Sequence, residues 1–469
     1  MHLTISSAAL TPSARSLDVD SGFEFPSDFQ TDRRDSLIEI DRLMASVGLT
    51  SSDKHIAVAV SGGSDSMALA LLAGEWGRTQ GVRVTALTVD HGLRAESSAE
   101  ARQVGDWLAN YGVAHYVLRW QGDKPATGVQ AAARDARYGL MTDWCRANGV
   151  SKLLLAHQLE DQAETFLFRL ARGSGPDGLA CMMPVVRRGG VILVRPLLNV
   201  ARQELRQYLT DRGQDWIDDP SNEDPAFTRT GLGRLSRNLS NHGVPPERLA
   251  ALAESFAKVR LATDQVVTAA MDRFVTVYPA GYATCSPKTF ERLPREVGRA
   301  LLRRLLRLIG GKAYAASNTK LDRAMVKLRR SASCRGLTLG GCVVQPGPSG
   351  VLIYREAPTS ASETITIGRE MIWHGVFRCR LTGAAIANNT PPVVRALGEA
   401  GWREIVKVAP ALRLSDVPYP VRLTLPALSI SGTICAVPHL DFAENPDKGG
   451  SPEAFKPNFE ANFVNLEDR

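Results

Sequence analysis

The hydrophobic pattern between residues 54 and 215 alternates short apolar runs with longer segments of helical periodicity. The apolar runs are rich in β-branched residues and comprise KHIAVAV (54–60), VRVTALTV (82–89), AHYVLRW (114–120) and SKLLLAH (151–157). Segments 98–112 and 129–149 carry apolar residues at helical spacing. Short strands separated by helices indicate a parallel sheet covered on both faces, so the predicted fold class is α/β. Ligands of such sheets bind beyond the carboxyl ends of the strands.

The rest of the chain predicts different units. Residues 245–275 again show helical spacing, and 286–335 hold fourteen Lys or Arg against three acidic residues, a net charge of +11. Beyond 336, runs such as 341–355 and 421–438 predict short strands with Gly and Pro turns. We therefore expect a flexible N-terminal extension (1–50), a parallel-sheet domain (51–240), a helical basic region (241–335), a small β-rich domain (336–442) and a flexible tail (443–469).

The loop after the first predicted strand, SGGSDS (61–66), has the composition of a phosphate-binding turn. A helix start presents unpaired N–H groups with partial positive charge, and glycines let phosphate oxygens approach the backbone. The carboxylate of Asp65 does not attract phosphate itself but suits Mg²⁺, which bridges to phosphate oxygens. The loop lacks the lysine of a Walker A motif and is a poor cradle for a γ-phosphate. The alternative is an ordinary strand–turn–helix connection.

SGGSDS resembles the SGGxDS signature of the PP-loop ATP pyrophosphatases. The resemblance implies an open, Rossmann-like sheet that binds ATP, cleaves it to AMP and pyrophosphate, and adenylates a substrate oxygen. It implies that Asp65 is catalytic and a ligand of Mg²⁺, and that the nucleotide is bound by Ser61, Gly62, Gly63, Ser64, Asp65 and Ser66. The loop alone leaves the substrate open, since GMP, NAD and asparagine synthetases and tRNA-thiolating enzymes share it.

Segments further along the chain narrow the choice of substrate. In order they are VDHGLRAES (89–97), AARDARY (132–138), AHQLEDQAET (156–165), RGSGPDGL (172–179) and DDPSNED (218–224). Together with the loop they resemble the bacterial tRNA(Ile)-lysidine synthetases. The combination and order of these motifs are more specific than any one of them.

That resemblance implies a ligase reaction in two steps. ATP adenylates the C2 oxygen of the wobble cytidine in an isoleucine tRNA with a CAU anticodon, and free L-lysine then displaces AMP to form lysidine. A C2 oxygen is a poor leaving group until it carries AMP, and Mg²⁺ with the loop N–H groups can stabilise the departing pyrophosphate. The implied partners are ATP, Mg²⁺, lysine and this tRNA.

Residue roles follow from the same resemblance. Asp161 and Glu164 would recognise lysine, and His157, on the same helical stripe, would position the reacting centre. Asp90 and His91 would lie near the nucleotide. Each residue also has an ordinary interpretation, because acids on a helix face are usually solvated and a single histidine is often a packed or capping residue.

Arg134 or Arg137, three residues apart on one helix face, would meet the phosphate or the developing anion, since guanidinium suits phosphate geometry. They are equally compatible with ordinary surface charges. The chain departs from the family in two places. It has His157-Gln158 where the family often has two histidines, and it has FTRTGLGRL (227–235) where many members have an Arg–Asn pair. The second departure leaves the contacts of that segment open.

The basic region includes REVGRALLRRLLRLIG (295–310), which is amphipathic at helical spacing. Its apolar residues predict a face that packs into a core. One row of residues four apart predicts a face toward RNA phosphates: Arg295, Arg299, Arg303 and Arg307. The alternative is a solvated basic face.

Composition limits the setting of the protein. The 469 residues carry a net charge of +7, which is compatible with a polyanionic partner. The seven cysteines are scattered without a C-x-x-C pair, so a reducing, cytoplasmic setting fits best. No apolar run is long enough to span a bilayer, and the N-terminus lacks a signal-peptide core, so we expect no membrane partner.

Three other functions stay open. A tRNA 2-thiolating enzyme commonly uses a C-x-x-C pair, which this sequence lacks. A small-molecule amide-forming ligase would not need the basic region. A non-catalytic tRNA-binding protein with a relic loop is disfavoured by the intact Asp65 and glycines. The sequence does not decide the oligomeric state, and a homodimer stays open.

Overall fold

The computed structural model describes most of the chain after residue 38. The described residues are 39–92, 96–121, 128–218, 228–286, 288–312, 316–330, 336–347, 350–357, 362–382, 391–444 and 458–464. Most of the predicted N-terminal extension and of the DDPSNED motif lies outside these ranges. Within them, no helix combines the length and the apolar character needed to cross a membrane.

The first sheet contains the four strands that the hydrophobic runs predict and two more. Its strands are β1 (His55–Ala59), β2 (Arg83–Asp90), β3 (Ala114–Arg119), β4 (Lys152–Leu154), β5 (Val185–Arg188) and β6 (Val191–Val194). They lie in the order β3-β2-β1-β4-β6-β5, with β5 alone antiparallel to its neighbour. The predicted open parallel sheet is confirmed, and the β5–β6 hairpin extends it at one edge.

Helices surround this sheet and continue beyond it: α1 (Ile40–Ser46), α2 (Ser64–Gln80), α3 (Ser97–Ala109), α4 (Val129–Ala147), α5 (Leu159–Ala171), α6 (Pro176–Leu179), α7 (Arg202–Thr210), α8 (Thr228–Asn241) and α9 (Pro246–Phe274). Ala57 of β1 packs with Met141 and Cys145 of α4. Its neighbours Ile56 and Val58 point to the opposite face and are also fully buried. Both faces of the sheet are therefore covered, as the continuous apolar strands predict.

A second sheet joins strands from two predicted segments. It consists of β7 (Val275–Tyr278), β8 (Tyr282–Cys285), β9 (Leu337–Leu339), β10 (Cys342–Gly347) and β11 (Gly350–Arg355). The strand order is β7-β8-β11-β10-β9, and neighbouring strands are antiparallel. The boundary expected at 335/336 therefore passes between strands of one sheet. The domain division as a whole stays a prediction.

Three helices of the basic region pack on the second sheet: α10 (Thr289–Arg292), α11 (Arg295–Gly310) and α12 (Asn318–Arg330). Leu301, Leu302 and Leu305 of α11 are fully buried, in one core with Phe290 and Ile353. The apolar face that the sequence predicts for 295–310 is thus the face that builds this core.

The C-terminal part contains two more sheets. Its strands are β12 (Glu363–Thr364), β13 (Glu370–Trp373), β14 (Phe377–Thr382), β15 (Val393–Ala396), β16 (Pro426–Ile430), β17 (Thr433–Val437), β18 (Phe442–Ala443) and β19 (Asn458–Phe463). One sheet has the order β12-β15-β16-β17-β18 and the other β13-β14-β19. Two helices, α13 (Gly398–Val408) and α14 (Tyr419–Arg422), precede β16. The predicted β-rich C-terminal part is confirmed.

The structure corrects both ends of the predicted division. Residues 40–46, assigned to a flexible extension, form α1, and Met44 is fully buried. Residues 458–463, assigned to a flexible tail, form β19, which pairs along β14 and buries Phe459 and Ala461. The alternation in NFEANF is short and lies within a polar segment, so its strand signal is weak until β14 supplies a partner.

The packing of β19 can be tested with two neighbouring substitutions. Phe459 is 6% exposed, so Phe459→Ala should cost about 3–5 kcal/mol of unfolding free energy. Glu460 is exposed on the same strand, so Glu460→Ala should change it by less than about 0.5 kcal/mol. Urea denaturation followed by circular dichroism measures both. Equal stability of the two variants would contradict a packed C-terminal strand.

Candidate active site

The loop of residues 61–66 joins β1 to α2 at the carboxyl edge of the parallel sheet. Gly62 has a φ of +90°, which residues with a side chain rarely adopt. A Cβ atom there would lie 2.7 Å from Cδ1 of Ile217. The Ile217 amide also donates a hydrogen bond of 2.9 Å to the Gly62 carbonyl, so the chain after α7 fixes this turn. Conformation and space both require glycine at this position.

Hydroxyl groups hold the loop from inside. Ser66 Oγ accepts from the Ser61 amide at 3.1 Å and donates to the Gly63 carbonyl at 2.9 Å. Ser64 Oγ donates to Asp65 Oδ1 at 3.1 Å. No described side chain caps the start of α2 at Ser64. The Ser66 amide bonds to the Gly63 carbonyl at 3.1 Å, and the Ser64 and Asp65 amides before it can meet an anionic ligand.

Asp90, at the end of β2, organises the chain that leads to α3. Ser97 and Ser98 donate from their hydroxyls at 2.7 and 2.6 Å, and the Gly92 amide donates at 2.9 Å. These bonds, that of Ser98 first, lower the pKa of Asp90 from 3.8 to about 2. Because the pKa is lowered on folding, this stabilisation is complete above about pH 4 and is lost as the pH falls toward 2. A direct contact of Asp90 with nucleotide stays a prediction.

The structure brings His91 and Arg137 together. The Arg137 Nε and Nη2 atoms lie 3.3 and 3.2 Å from His91 Nε2, and the His91 ring meets the Trp120 ring edge-on with centroids 6.1 Å apart. Arg134 instead contacts the next turn of α4, with Nη2 3.3 Å from the Tyr138 hydroxyl. Of the two candidate arginines, Arg137 is therefore the one that contacts His91 at the end of β2.

Gln158 occupies the position where the family often has a second histidine. It is fully buried and begins α5, where its side-chain oxygen accepts from the Asp161 amide at 3.2 Å. Its own amide donates to Asp161 Oδ2 at 3.3 Å, which completes a capping box. Its side-chain nitrogen lies 3.5 Å from Asp65 Oδ2. The glutamine thus ties the start of α5 to the ATP loop.

His157 lies just before this cap and contacts a buried arginine. Arg195 Nε donates to His157 Nδ1 at 3.3 Å, and Arg195 Nη1 donates to the Met183 carbonyl at 2.8 Å. Arg195 is 9% exposed, and burial lowers its pKa. His157 is therefore oriented from the β5–β6 side of the sheet, which the sequence did not predict.

Glu164, two turns into α5, faces α8. A Cβ atom at Gly233 of α8 would lie 3.2 Å from Glu164 Oε1. Gly233 is one of the positions at which the sequence departs from the family, and its lack of a side chain lets α8 pass close to this carboxylate. The predicted lysine-binding acids Asp161 and Glu164 lie on one stripe of α5, and the start of this helix contacts the ATP loop through Gln158.

Arg202 is a site residue that sequence reasoning missed. It is the first residue of α7, its Nε lies 3.5 Å from Asp65 Oδ2, and its amide donates to Glu160 Oε2 at 3.0 Å. Burial disfavours its charged form, but Asp65, Asp161, Glu160 and Glu164 outweigh burial and raise its pKa. The sequence feature that could have indicated Arg202 is its position at a helix start, where the helix dipole disfavours a cation unless acidic groups lie nearby.

The predicted Mg²⁺ fits the residues present at Asp65. Within the described residues no group of three or more His, Cys, Asp or Glu side chains is arranged to hold a metal ion. Mg²⁺ on a nucleotide needs no such group, because it keeps several waters and takes one or two carboxylates together with phosphates. Asp65, at the loop and partly exposed, can supply one carboxylate.

The arginine row of α11 is partly turned inward. Side-chain exposure is 14% at Arg299 and 22% at Arg303. Arg303 pairs with Asp177 of α6, and Arg295 and Arg299 pair with Asp322 of α12. Contrary to the expectation from spacing, Arg299 and Arg303 hold α11 to its neighbours and do not form a face open to RNA phosphates.

Exposed cations lie instead on α12. Lys320, Arg323 and Lys327 line a groove of about 440 Å³, whose other wall is the β9–β10 turn with Gly340 and Gly341. We call it the α12 groove. Its three cations recur at helical spacing on one face, so they offer a row of positive charge to a polyanion.

Two adjacent glycines test the geometry of the ATP loop. Gly62→Ala should clash with Ile217 and force an unfavourable φ, costing about 1–3 kcal/mol of unfolding free energy. Gly63→Ala should cost less than about 1 kcal/mol, since the added atom would meet nothing closer than 3.8 Å. Urea denaturation without ligand compares them. The turn described here is incorrect if Gly62→Ala is no less stable than Gly63→Ala.

Comparison with known proteins identifies the family of this chain. Residues 34–239 match the model of the PP-loop domain family. The chain is 37% identical over 385 residues to the tRNA(Ile)-lysidine synthase of Ruegeria pomeroyi, covering 82% of this chain and 88% of that one. It is 33% identical over 352 residues to the tRNA(Ile)-lysidine synthase of Wolbachia pipientis wMel, covering 74% and 82%. It is 30% identical over 410 residues to that of Wolbachia sp. subsp. Brugia malayi, covering 86% and 93%. The chain therefore belongs to the tRNA(Ile)-lysidine synthase family, a family of ATP-dependent ligases.

Proposed function

We propose that this protein adenylates the C2 oxygen of the wobble cytidine in a CAU-anticodon isoleucine tRNA and then joins free L-lysine to that carbon. The observation that carries the proposal is the contact between the ATP loop and the acidic stripe of α5. Asp65 of the ATP loop and the acidic stripe of α5 are linked through Gln158 and Arg202. An anion-binding helix start thus lies beside a carboxylate cluster, which a phosphate donor and a cationic amine both require.

In the first step, the cytidine C2 oxygen attacks the α-phosphate of ATP, and pyrophosphate leaves. The open N–H groups at the start of α2 support binding of the departing phosphates. Asp65 could hold a Mg²⁺ ion, which would neutralise charge on these phosphates. Arg137, with His91, lies at the neighbouring strand end and can meet negative charge that develops there. The products are AMP on the base and free pyrophosphate.

In the second step, the amino group of lysine attacks C2, the bond to the AMP-bearing oxygen breaks, and AMP leaves. Lysine arrives as a cation, so Asp161 and Glu164 provide binding through charge-assisted hydrogen bonds. The amine must lose protons before and after attack, and a carboxylate of the same stripe can accept one. We assign to His157 the role of orienting the reacting base, and its hydrogen bond from Arg195 supports this by fixing the ring.

The tRNA partner needs a cationic surface, and the α12 groove offers three exposed cations in one row. Its lysines and arginine are exposed, whereas Arg299 and Arg303 of α11 are engaged in ion pairs. We place tRNA backbone phosphates against the α12 groove. This proposal moves the predicted RNA contact of the basic region from α11 to α12.

The reaction is tested with ATP, radiolabelled lysine and a CAU-anticodon tRNA transcript. The wild-type protein should put label into RNA and form AMP rather than ADP. Asp161→Asn should reduce labelling by about 10²-fold or more, because a carboxylate that binds and deprotonates the amine is lost. Asp143→Asn, an exposed carboxylate on α4, is the matched control and should keep wild-type activity.

Two outcomes would contradict this function. If Asp161→Asn incorporated labelled lysine into RNA at the wild-type rate, the proposed role of the α5 stripe would be wrong. Lysine-dependent AMP release without any RNA would favour a small-molecule ligase.

The α12 groove is tested by tRNA binding at several salt concentrations. Changing Lys320, Arg323 and Lys327 together to Glu should weaken binding by more than about tenfold and reduce the slope of log K against log salt by about 2–3. Lys258→Glu, an exposed cation on α9, is the control and should change the slope by less than about 1. An unchanged slope in the triple variant would place the tRNA elsewhere.

A further inference from the structure

We propose that Arg202 is a positioning residue that holds its positive charge beside the lysine subsite until ATP binds, and so makes lysine binding depend on the nucleotide. The inference rests on the proposed function, because it takes the α5 stripe as the lysine subsite. It assigns to Arg202 the role of an internal cation whose charge opposes entry of the substrate cation.

The backbone of Arg202 is fixed while its charged end is only partly held. The Arg202 amide donates to Glu160 Oε2 at 3.0 Å, which anchors the start of α7 to α5. The guanidinium Nε lies 3.5 Å from Asp65 Oδ2, and the side chain is 41% exposed. A contact of this length and exposure is a weak ion pair. The long side chain can therefore turn from one anionic partner to another at small cost.

The same carboxylates attract both Arg202 and the substrate. The Arg202 guanidinium lies beside Asp65, its backbone amide is bound to Glu160 at the start of α5, and the negative charges of Asp161 and Glu164 on the same helix also favour its charged form. A lysine ammonium that enters this cluster meets the positive charge of Arg202 at close range, and like charges a few ångströms apart oppose binding. Without nucleotide, Arg202 thus lowers the affinity of the stripe for lysine.

ATP supplies the partner that draws Arg202 away. Asp65 is the second residue of α2, so Arg202 already lies beside the helix start that would hold the phosphates. A guanidinium prefers a bidentate contact with phosphate to a single long contact with a carboxylate. When Arg202 turns to the phosphates, the Asp161 and Glu164 carboxylates become available to lysine. The two substrates are then positively coupled, and the coupling must be reciprocal.

Calorimetric titration with L-lysine tests this coupling, with and without a saturating ATP analogue whose α,β-bridging oxygen is replaced by methylene. In the wild-type protein the analogue should tighten lysine binding by about tenfold, and saturating lysine should tighten the analogue equally. Arg202→Gln should bind lysine about tenfold more tightly than wild type without the analogue, because the competing charge is gone. The analogue should then change its lysine affinity by less than about twofold.

Two further variants separate this role from a structural one. Arg202→Lys keeps the charge and should keep the weak lysine binding of the wild type without nucleotide. Arg206→Gln, one turn further along α7, removes a cation that pairs with Asp218 and should leave both lysine affinities unchanged. Thermal unfolding of each variant shows whether α7 is intact.

The results distinguish the inference from the proposed function. If lysine binds but Arg202→Gln behaves like wild type with and without the analogue, the role of Arg202 is overturned and the lysine site remains. If lysine binds to none of the proteins in either condition, the proposed function is overturned, and the inference with it.

Discussion

The turn at Gly62 decides where the other groups of the site lie. Its left-handed φ sends the chain from β1 directly into α2, and the Ile217 amide ties the turn to the segment after α7. Two contacts to Asp65 then gather the remaining parts, one from Gln158 of α5 and one from Arg202 of α7. Three elements distant in sequence thus converge on a loop of six residues.

The groups predicted from sequence are those whose signal is local. The four strands of the parallel sheet and the loop 61–66 are visible because apolar runs and turn residues sit next to each other in the chain. The stripe of Asp161 and Glu164 is visible because helical spacing is fixed. Arg202 is not, since only the sheet order brings α7 next to Asp65.

The inward-facing arginines of α11 were also not predicted, because their ion-pair partners are distant in sequence. Their spacing correctly gives a common face, but a solvent-facing row and an ion-paired row have the same spacing. The partners Asp177 and Asp322 come from α6 and α12, and only the tertiary fold brings these helices to α11. The departures from the family pattern are visible in the sequence, but their effects depend on contacts that only the fold creates. Gln158 caps α5 and meets Asp65, and Gly233 gives room to Glu164.

Helix α9 has a mechanical consequence for a long substrate. Its 29 residues form a rod of about 44 Å. Leu249 and Ala253 near its beginning pack with α5, and Val267 near its end lies in the core of the second sheet, where the helix passes into β7 without an intervening loop. The rod sets the distance between the α5 acids and the second sheet. An RNA that contacted both ends of the helix would have to span this fixed distance.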